Sequence, residues 1–493
     1  MWLSSHSSGN FSNRYFQGET TLFAKSRRTC VYRERVMRFQ RFLILVFLAC
    51  GIAAGQVSAQ NWHSYILQSP SLPQAQAACQ TYGMTLVNTI RTPDTYLVQV
   101  SAAVPPGVLQ KWVEHDPNVQ HLELDNKVSA PETTTKIAPY IPSFPGTSYV
   151  TGDPFVKLYG SQVWLGYVQQ PAMYSTNAAN TVAHNVTGSG IVAVIDTGVD
   201  PTSAVLGPVL VPGYDFVNDV EGVASENGDI DQSTAHILHQ STAHILHDFQ
   251  TMQLNNTTVG LLDSNTAVSL QGASIPNDFG HGTMVAGLIH LVAPTAKIMP
   301  IKAFQSDGTA NLSDVIRAIY FAADHGARVI NMSFGFPQIS DTLMKAVNYA
   351  TRKGVICVAS VGNDGQTALV YPAAYGNVIA VASVDQQNQI STFSNYGPDL
   401  VTVAAPGEAL VTIYPGDHYV AVWGTSFSTA LVSAAAIDML SFVDPHISPL
   451  LGVGDVRRAL SHAMSCDTSG NLGAGCIDLN QAEQFLKGTN VPH

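Results

Sequence analysis

The sequence predicts an α/β protein: a doubly wound, mostly parallel sheet with helices on both faces, preceded by a small α+β domain. Three observations lead there. Apolar runs rich in Val and Ile, without polar alternation, recur from residue 191 onward as "IVAVID", "AKIMPIKAF", "ARVINMSF", "VICVASVG" and "VIAVASV", the pattern of strands covered on both faces. Helical patterns such as "LSDVIRAIYFAADHG" and "DTLMKAVNYATRKG" fall between them, and strands that alternate with helices build a parallel sheet. A stretch rich in Pro and Thr then divides this region from an N-terminal piece of different patterning.

Taken in chain order, residues 1–36 are basic and Ser-rich and lie upstream of Met37. They read as an extension ahead of the true start, or as a long charged lead if the chain begins at Met1. Residues 37–59 read as a secretory signal: Arg38 and Arg41 precede "FLILVFLACGIAAG" and then "VSAQ", which sets charged, apolar and small-residue regions in order, with a cut after Ala59. The apolar run is short for a membrane span. A secreted, or periplasmic, protein with no membrane contact after signal removal is expected.

Residues 60–128 form the small domain, with "TYLVQV" as a strand, "PGVLQKWVEHDP" as a short amphipathic helix and "NVQHLELD" as a second strand. Residues 129–159, beginning "SAPETTTKIAPYIPSFPG", read as an exposed linker. Small domain, linker and large remainder is the layout of a zymogen, although an accessory domain produces the same outline. The large domain spans 160–487, with an insertion near 220–275. Within that insertion "QSTAHILH" occurs twice in tandem. Its histidines, His236, His239, His244 and His247, could hold a metal if the segment were helical; a duplication in a tolerant surface loop is the simpler explanation.

Composition narrows the function classes. Of 493 residues only 12% are charged, and the formal net charge is −12. No basic surface is available for nucleic acid. After Ala59 the cysteines are Cys79, Cys357, Cys466 and Cys476. The last two flank the Gly-rich "DTSGNLGAG", a loop that a disulfide could close; Cys357, inside "GVICVAS", reads as a buried free thiol.

Three stretches carry chemistry. "IVAVIDTGVD" sets Asp196 at the end of a strand, "DFGHGTMVAG" sets His281 at the start of a helix, and "WGTSFSTALVSAAAIDML" sets Ser426 at the start of another. A serine nucleophile needs a base within hydrogen-bond reach, and the base needs a carboxylate to hold its tautomer and stabilise the imidazolium. Each stretch has a plainer reading by itself. "DTG" also marks aspartic peptidases, but no second Asp-Thr/Ser-Gly occurs; "GTS" is ordinarily a helix cap; a lone "GHG" is more often structural.

Together and in this order, the three resemble the subtilisin-like serine peptidases over roughly residues 160–487. The resemblance implies a subtilisin-like fold and a serine endopeptidase acting through an acyl-enzyme, with Asp196 as the orienting acid, His281 as the general base and Ser426 as the nucleophile. Asn363 in "ASVGNDG" falls where the family places its oxyanion-hole side chain; Ser333, Phe334 and Gly335 in "NMSFG" fall on its substrate-binding edge. The small domain resembles the family's propeptides, "HDPNVQHLELD" most closely, which implies an own-propeptide partner occupying the cleft. Protein or peptide substrates, a monomer, and no cofactor for the chemistry follow. Structural calcium is a further implication, with Asp219, Asp229 and Asp231 as candidate oxygen donors. Met284 stands where the family commonly has a second His, and Ala430 where it has Pro.

Other classes fit less well. "GSGIVA" at 188–193 has dinucleotide-type spacing, yet it precedes its strand instead of following one, and no Gly-Lys pair marks a P-loop. The serine lacks the G-x-S-x-G of lipase-like hydrolases. A catalytically silent relative retained for protein binding remains the alternative reading. Asp364 beside Asn363 is expected to disfavour acidic side chains in the cleft, and apolar surroundings to favour large hydrophobic ones.

Overall fold

The computed structural model describes residues 62–129, 155–222, 224–229, 250–254, 257–261, 279–443, 453–462, 466 and 470–489. The signal, most of the linker and the "QSTAHILH" duplication lie outside them.

Eight strands make the central sheet, in the spatial order Val220–Gly222, Gly213–Asp215, Lys297–Lys302, Ile191–Asp196, Ala327–Met332, Ile356–Ser360, Val378–Val384 and Val403–Pro406. Neighbours run parallel except for the first pair, at one edge. Because strand side chains alternate between faces, each apolar run feeds two cores. Val192 and Val194 join one, Ala193 and Ile195 the other. Helices His281–Val292 and Thr425–Leu440 cover the first face; Leu312–Asp324 and Asp341–Arg352 cover the second. This is the doubly wound arrangement that the sequence predicts.

Helix Thr425–Leu440 shows why the strands carry no polar alternation. Every one of its residues is buried, its Ser, Thr and Asp side chains included, and it runs against the strands Ala327–Met332, Ile356–Ser360, Val378–Val384 and Val403–Pro406. The chain enters the sheet near its middle at Ile191–Asp196, places Lys297–Lys302 on one side and Ala327–Met332 on the other. Strand order therefore reverses beside Asp196, and in an open parallel sheet that reversal opens a crevice at the carboxyl ends of the strands.

The small domain is a four-stranded antiparallel sheet, ordered Thr85–Arg91, Thr95–Ser101, Trp62–Gln68 and His121–Leu124, with helices Leu72–Tyr82 and Pro106–Val113. Its own core holds Tyr65, Leu67, Tyr96 and Val98. It docks on the two helices of the second face. Asp125 accepts hydrogen bonds from Ser313 N and Oγ, both 2.8 Å, and Glu123 accepts from Ser340 Oγ at 2.9 Å. Both carboxylates therefore sit at helix N-termini, where the helix dipole favours negative charge. Arg91 pairs with Asp324 and stacks over the Tyr349 ring at 4.3 Å.

The large domain begins in the described chain with a hairpin, Phe155–Leu158 paired to Ser161–Trp164. Part of the insertion is folded as well. Strands Gln250–Leu254 and Thr257–Leu261 extend a second sheet through His418–Val422 to Leu410–Tyr414. Cys466 and Cys476 are joined with Cα atoms 5.5 Å apart, and Cys357 is buried and free, burial pushing its thiol up to about 12. Among the described residues, no helix is long and apolar enough to cross a membrane.

Candidate active site

Each candidate side chain sits at the end of an element that opens onto the crevice. Asp196 is the last residue of Ile191–Asp196, and Ser333 follows Ala327–Met332. Asn363 comes three residues after Ile356–Ser360. His281 and Ser426 are the first and second residues of their helices, each entered through a glycine with positive φ, Gly280 at +90° and Gly424 at +150°.

The acid and the imidazole meet. His281 Nδ1 lies 2.7 Å from Asp196 Oδ1, with both side chains buried, at 1% and 3% exposure. Asp196 Oδ1 also accepts from Thr197 N at 2.8 Å, so the carboxylate is held from its own backbone and the ring from the carboxylate. On the far side of the ring, Phe427, the residue after Ser426, packs with its centroid 5.6 Å from that of His281. The two helices pack along their length. Ser426 Oγ donates to Ser333 O at 3.4 Å, and Ser333 Oγ donates back to Ser426 O at 3.0 Å.

Asn363 lies against the same helix start. Its Oδ1 accepts from Thr425 N at 3.0 Å and from Thr425 Oγ1 at 2.9 Å, which fixes which way round the amide sits. The "NMSFG" edge is mixed. Gly335 N donates to Ser129 O, the end of the small domain's last strand Lys127–Ser129, at 3.4 Å, and that strand pairs with Thr309–Asn311. The Phe334 side chain is 1% exposed and packs on Phe304 at 5.0 Å in the core. What it offers the edge is main chain.

The glycines around His281 answer to close approach. A Cβ on Gly282 would stand 2.0 Å from the carbonyl oxygen of Gly198, in the loop after Asp196. Gly282→Ala is accordingly expected to push the His281 helix off the Asp196 loop and lower stability by about 1–3 kcal/mol. A thermal melt read beside peptidase assays checks this; wild-type values for both would overturn it.

Comparison with known proteins now bears on this constellation. A family model described as "Subtilase family" matches residues 188–475. The chain belongs to the subtilase family, the subtilisin-like serine peptidases. It is similar to a "Thermophilic serine proteinase" of Bacillus sp. (strain AK1), 36% identical over 271 residues, covering 55% of this chain and 57% of that one. It is also similar to "Subtilisin BL" of Lederbergia lenta, 40% identical over 213 residues, covering 41% of this chain and 77% of that one. Among solved structures, fervidolysin from Fervidobacterium pennivorans superposes with a TM-score of 0.62 at 20% identity, covering 87% of this chain and 62% of that chain; this likeness is one of fold.

The subtilase site includes residues that the sequence reading passed over. Glu226, 1% exposed in the short 3-10 turn Glu226–Asp229, accepts from Thr197 Oγ1 at 2.8 Å, from Thr283 N at 3.2 Å and from Thr283 Oγ1 at 2.8 Å. Burial pushes its carboxyl up to about 7, against these hydrogen bonds and the charge of Lys302. Lys302, fully buried, donates to Thr197 O at 2.6 Å and pairs with Asp229 at 2.9 Å. Glu226 lies in the segment read as insertion, outside every motif, although its partners Thr197 and Thr283 stand within "DTG" and "GHGT".

The same geometry bears on calcium. Asp229 is neutralised by Lys302 and bonded to Ser306 N, and Asp219 pairs with Arg317 at 2.8 Å. With cations already in place, these two carboxylates do not fit as calcium donors in this subtilase; Asp231 lies outside the described residues. Among the described residues no group of three or more His, Cys, Asp or Glu is placed to hold a metal ion.

Proposed function

We propose that this subtilase is a secreted serine endopeptidase, made as a zymogen and acting as a monomer on protein or peptide substrates. Ser426 attacks the scissile carbonyl while His281 takes its proton, and Asp196 holds the imidazole and stabilises its charged form. The acyl-enzyme is then released by water that His281 activates. The observation that carries the reading is the buried 2.7 Å contact between His281 and Asp196, at the mouth of the helix that bears Ser426. No cofactor takes part: the proton that His281 takes from Ser426 passes to the leaving amine, and the one it takes from water returns to Ser426.

The Asn363 amide and the Ser426 backbone N–H stabilise the negative charge on the carbonyl oxygen of the tetrahedral intermediate. Support comes from the two Thr425 hydrogen bonds on Asn363 Oδ1, which leave the amide NH2 as the group to meet an oxyanion. Asn363→Ala is expected to lower kcat by about 10²- to 10³-fold with KM little changed, a magnitude borrowed from a subtilisin. An unchanged kcat on a peptide p-nitroanilide would remove Asn363 from this role.

The domain at 60–128 acts as the propeptide, with substrate peptides later taking the place of its tail. The strand Lys127–Ser129 supports this, since it ends with Ser129 O on Gly335 N, a peptide laid as an added strand against the "NMSFG" edge. Chain cleavage beyond Ser129 then releases the cleft.

Labelling with a fluorophosphonate tests the whole reading. The processed protein should be labelled once, at Ser426, and Ser426→Ala should not be labelled. A folded, processed protein that takes up no label would favour the silent binding relative.

A further inference from the structure

We propose that Glu226 is a positioning residue for the Asp196–His281 pair, clamping the loop of the acid to the helix of the base through the threonines that follow each of them. The inference rests on the catalytic reading above and adds a residue to it.

The geometry is a closed set of bonds. Thr197 follows Asp196 in sequence, Thr283 lies two residues after His281, and both hydroxyls end on the Glu226 carboxylate at 2.8 Å. The Thr197 hydroxyl lies 3.3 Å from Asp196 Oδ1 and accepts from Gly282 N at 3.1 Å. The backbone reinforces the arrangement: Val199 N donates to Ala224 O at 3.0 Å, and a Cβ on Gly198 would stand 2.8 Å from Glu226 N. Asp196 and His281 are 85 residues apart in sequence, and their 2.7 Å contact requires the two segments to keep register. Glu226 supplies a common acceptor for both.

The carboxylate acts as an acceptor only. Three donors converge on its two oxygens, so a proton added to it can be received only if one threonine hydroxyl reverses from donor to acceptor and turns its own hydrogen away from Glu226. Burial chiefly sets when that occurs, opposed by the threonine hydrogen bonds and the charge of Lys302 on the strand beneath. The other titratable groups nearby are Asp196 and Asp200 on the loop, His281 on the helix, Asp229 on its own turn and Tyr414 from the second sheet. Burial raises the Glu226 carboxyl to about 7. Falling pH through that range adds the protonation of Glu226 to what the triad itself contributes, so the acid limb carries one proton more than it would without Glu226.

The full chain is expressed, allowed to mature, and assayed on a peptide p-nitroanilide from pH 5 to 10, with Ser426→Ala in parallel. Glu226→Gln keeps the shape and removes the titration. Its kcat should fall between about ten- and a hundredfold, the scale of a misplacement of up to about 1 Å, with KM within about twofold. The acid limb should become one proton less steep. A wild-type kcat and limb in this variant, or a fallen kcat with the limb unchanged, overturns the proposal. If Glu226→Gln does not accumulate as folded protein, Glu226→Asp takes its place: a lower kcat with the steep limb retained agrees, and a limb one proton less steep overturns. A chain without Ser426-dependent hydrolysis defeats the catalytic reading and this inference with it. A Ser426-dependent activity indifferent to Glu226→Gln defeats this inference alone.

Discussion

Ser426→Ala is expected to lower kcat by about 10⁶-fold, the scale seen when the nucleophile of a subtilisin triad is removed. The structure supplies the reason for so large an effect. Ser426 is fully buried at the start of a helix whose residues are all buried, and its main-chain oxygen is tied to Ser333 Oγ at 3.0 Å. Deleting one oxygen there leaves the fold untouched: Ala is the best helix former, and only the 3.4 Å bond from Ser426 Oγ to Ser333 O is lost. The melting temperature should therefore stay within a degree or two of the wild type while hydrolysis disappears. Residual activity above about 10⁻³ of the wild type would mean that another group attacks the substrate.

Asp196→Ala carries the second largest effect, about 3 × 10⁴-fold in kcat by the same comparison, or about 6 kcal/mol of transition-state stabilisation. The carboxylate does two jobs at one atom, receiving His281 Nδ1 and Thr197 N on Oδ1. Without it the imidazole loses the acceptor that selects its tautomer and the negative charge that favours its protonated form. Stability should fall too, because Thr197 N and the ring nitrogen are left in a buried site without their partner. A folded Asp196→Ala protein with a wild-type kcat on a peptide p-nitroanilide would remove Asp196 from this role.

The sheet was readable because burial on both faces leaves a compositional mark. "IVAVID", "VICVAS" and "VIAVASV" contain no polar position that would place them on a surface, and each became a parallel strand feeding two cores. The disulfide was suggested by two cysteines around a Gly-rich loop. The linker ended earlier than its composition suggests, since Phe155–Leu158 already pairs in the large domain. The helix Leu72–Tyr82 went unread; its N-cap, Ser71, makes no side-chain cap bond, and three alanines stand along its length.

The sequence by itself determined the kinds of residue brought to the crevice. Asp196 and Asn363 follow apolar runs and His281 and Ser426 precede them, each within two residues of a glycine, and chain order alone points to their family. Tertiary structure decided what those residues touch. Whether Phe334 faced cleft or core depended on its meeting Phe304, 30 residues away, and whether Asp219 and Asp229 were open to a cation depended on Arg317 and Lys302 arriving from elsewhere in the chain. Glu226 is the clearest case, for its partners are two threonines 29 and 57 residues distant. A motif records the backbone turn that a residue needs locally; hydrogen bonds and charge pairs across such separations exist only once the sheet has brought the loops together.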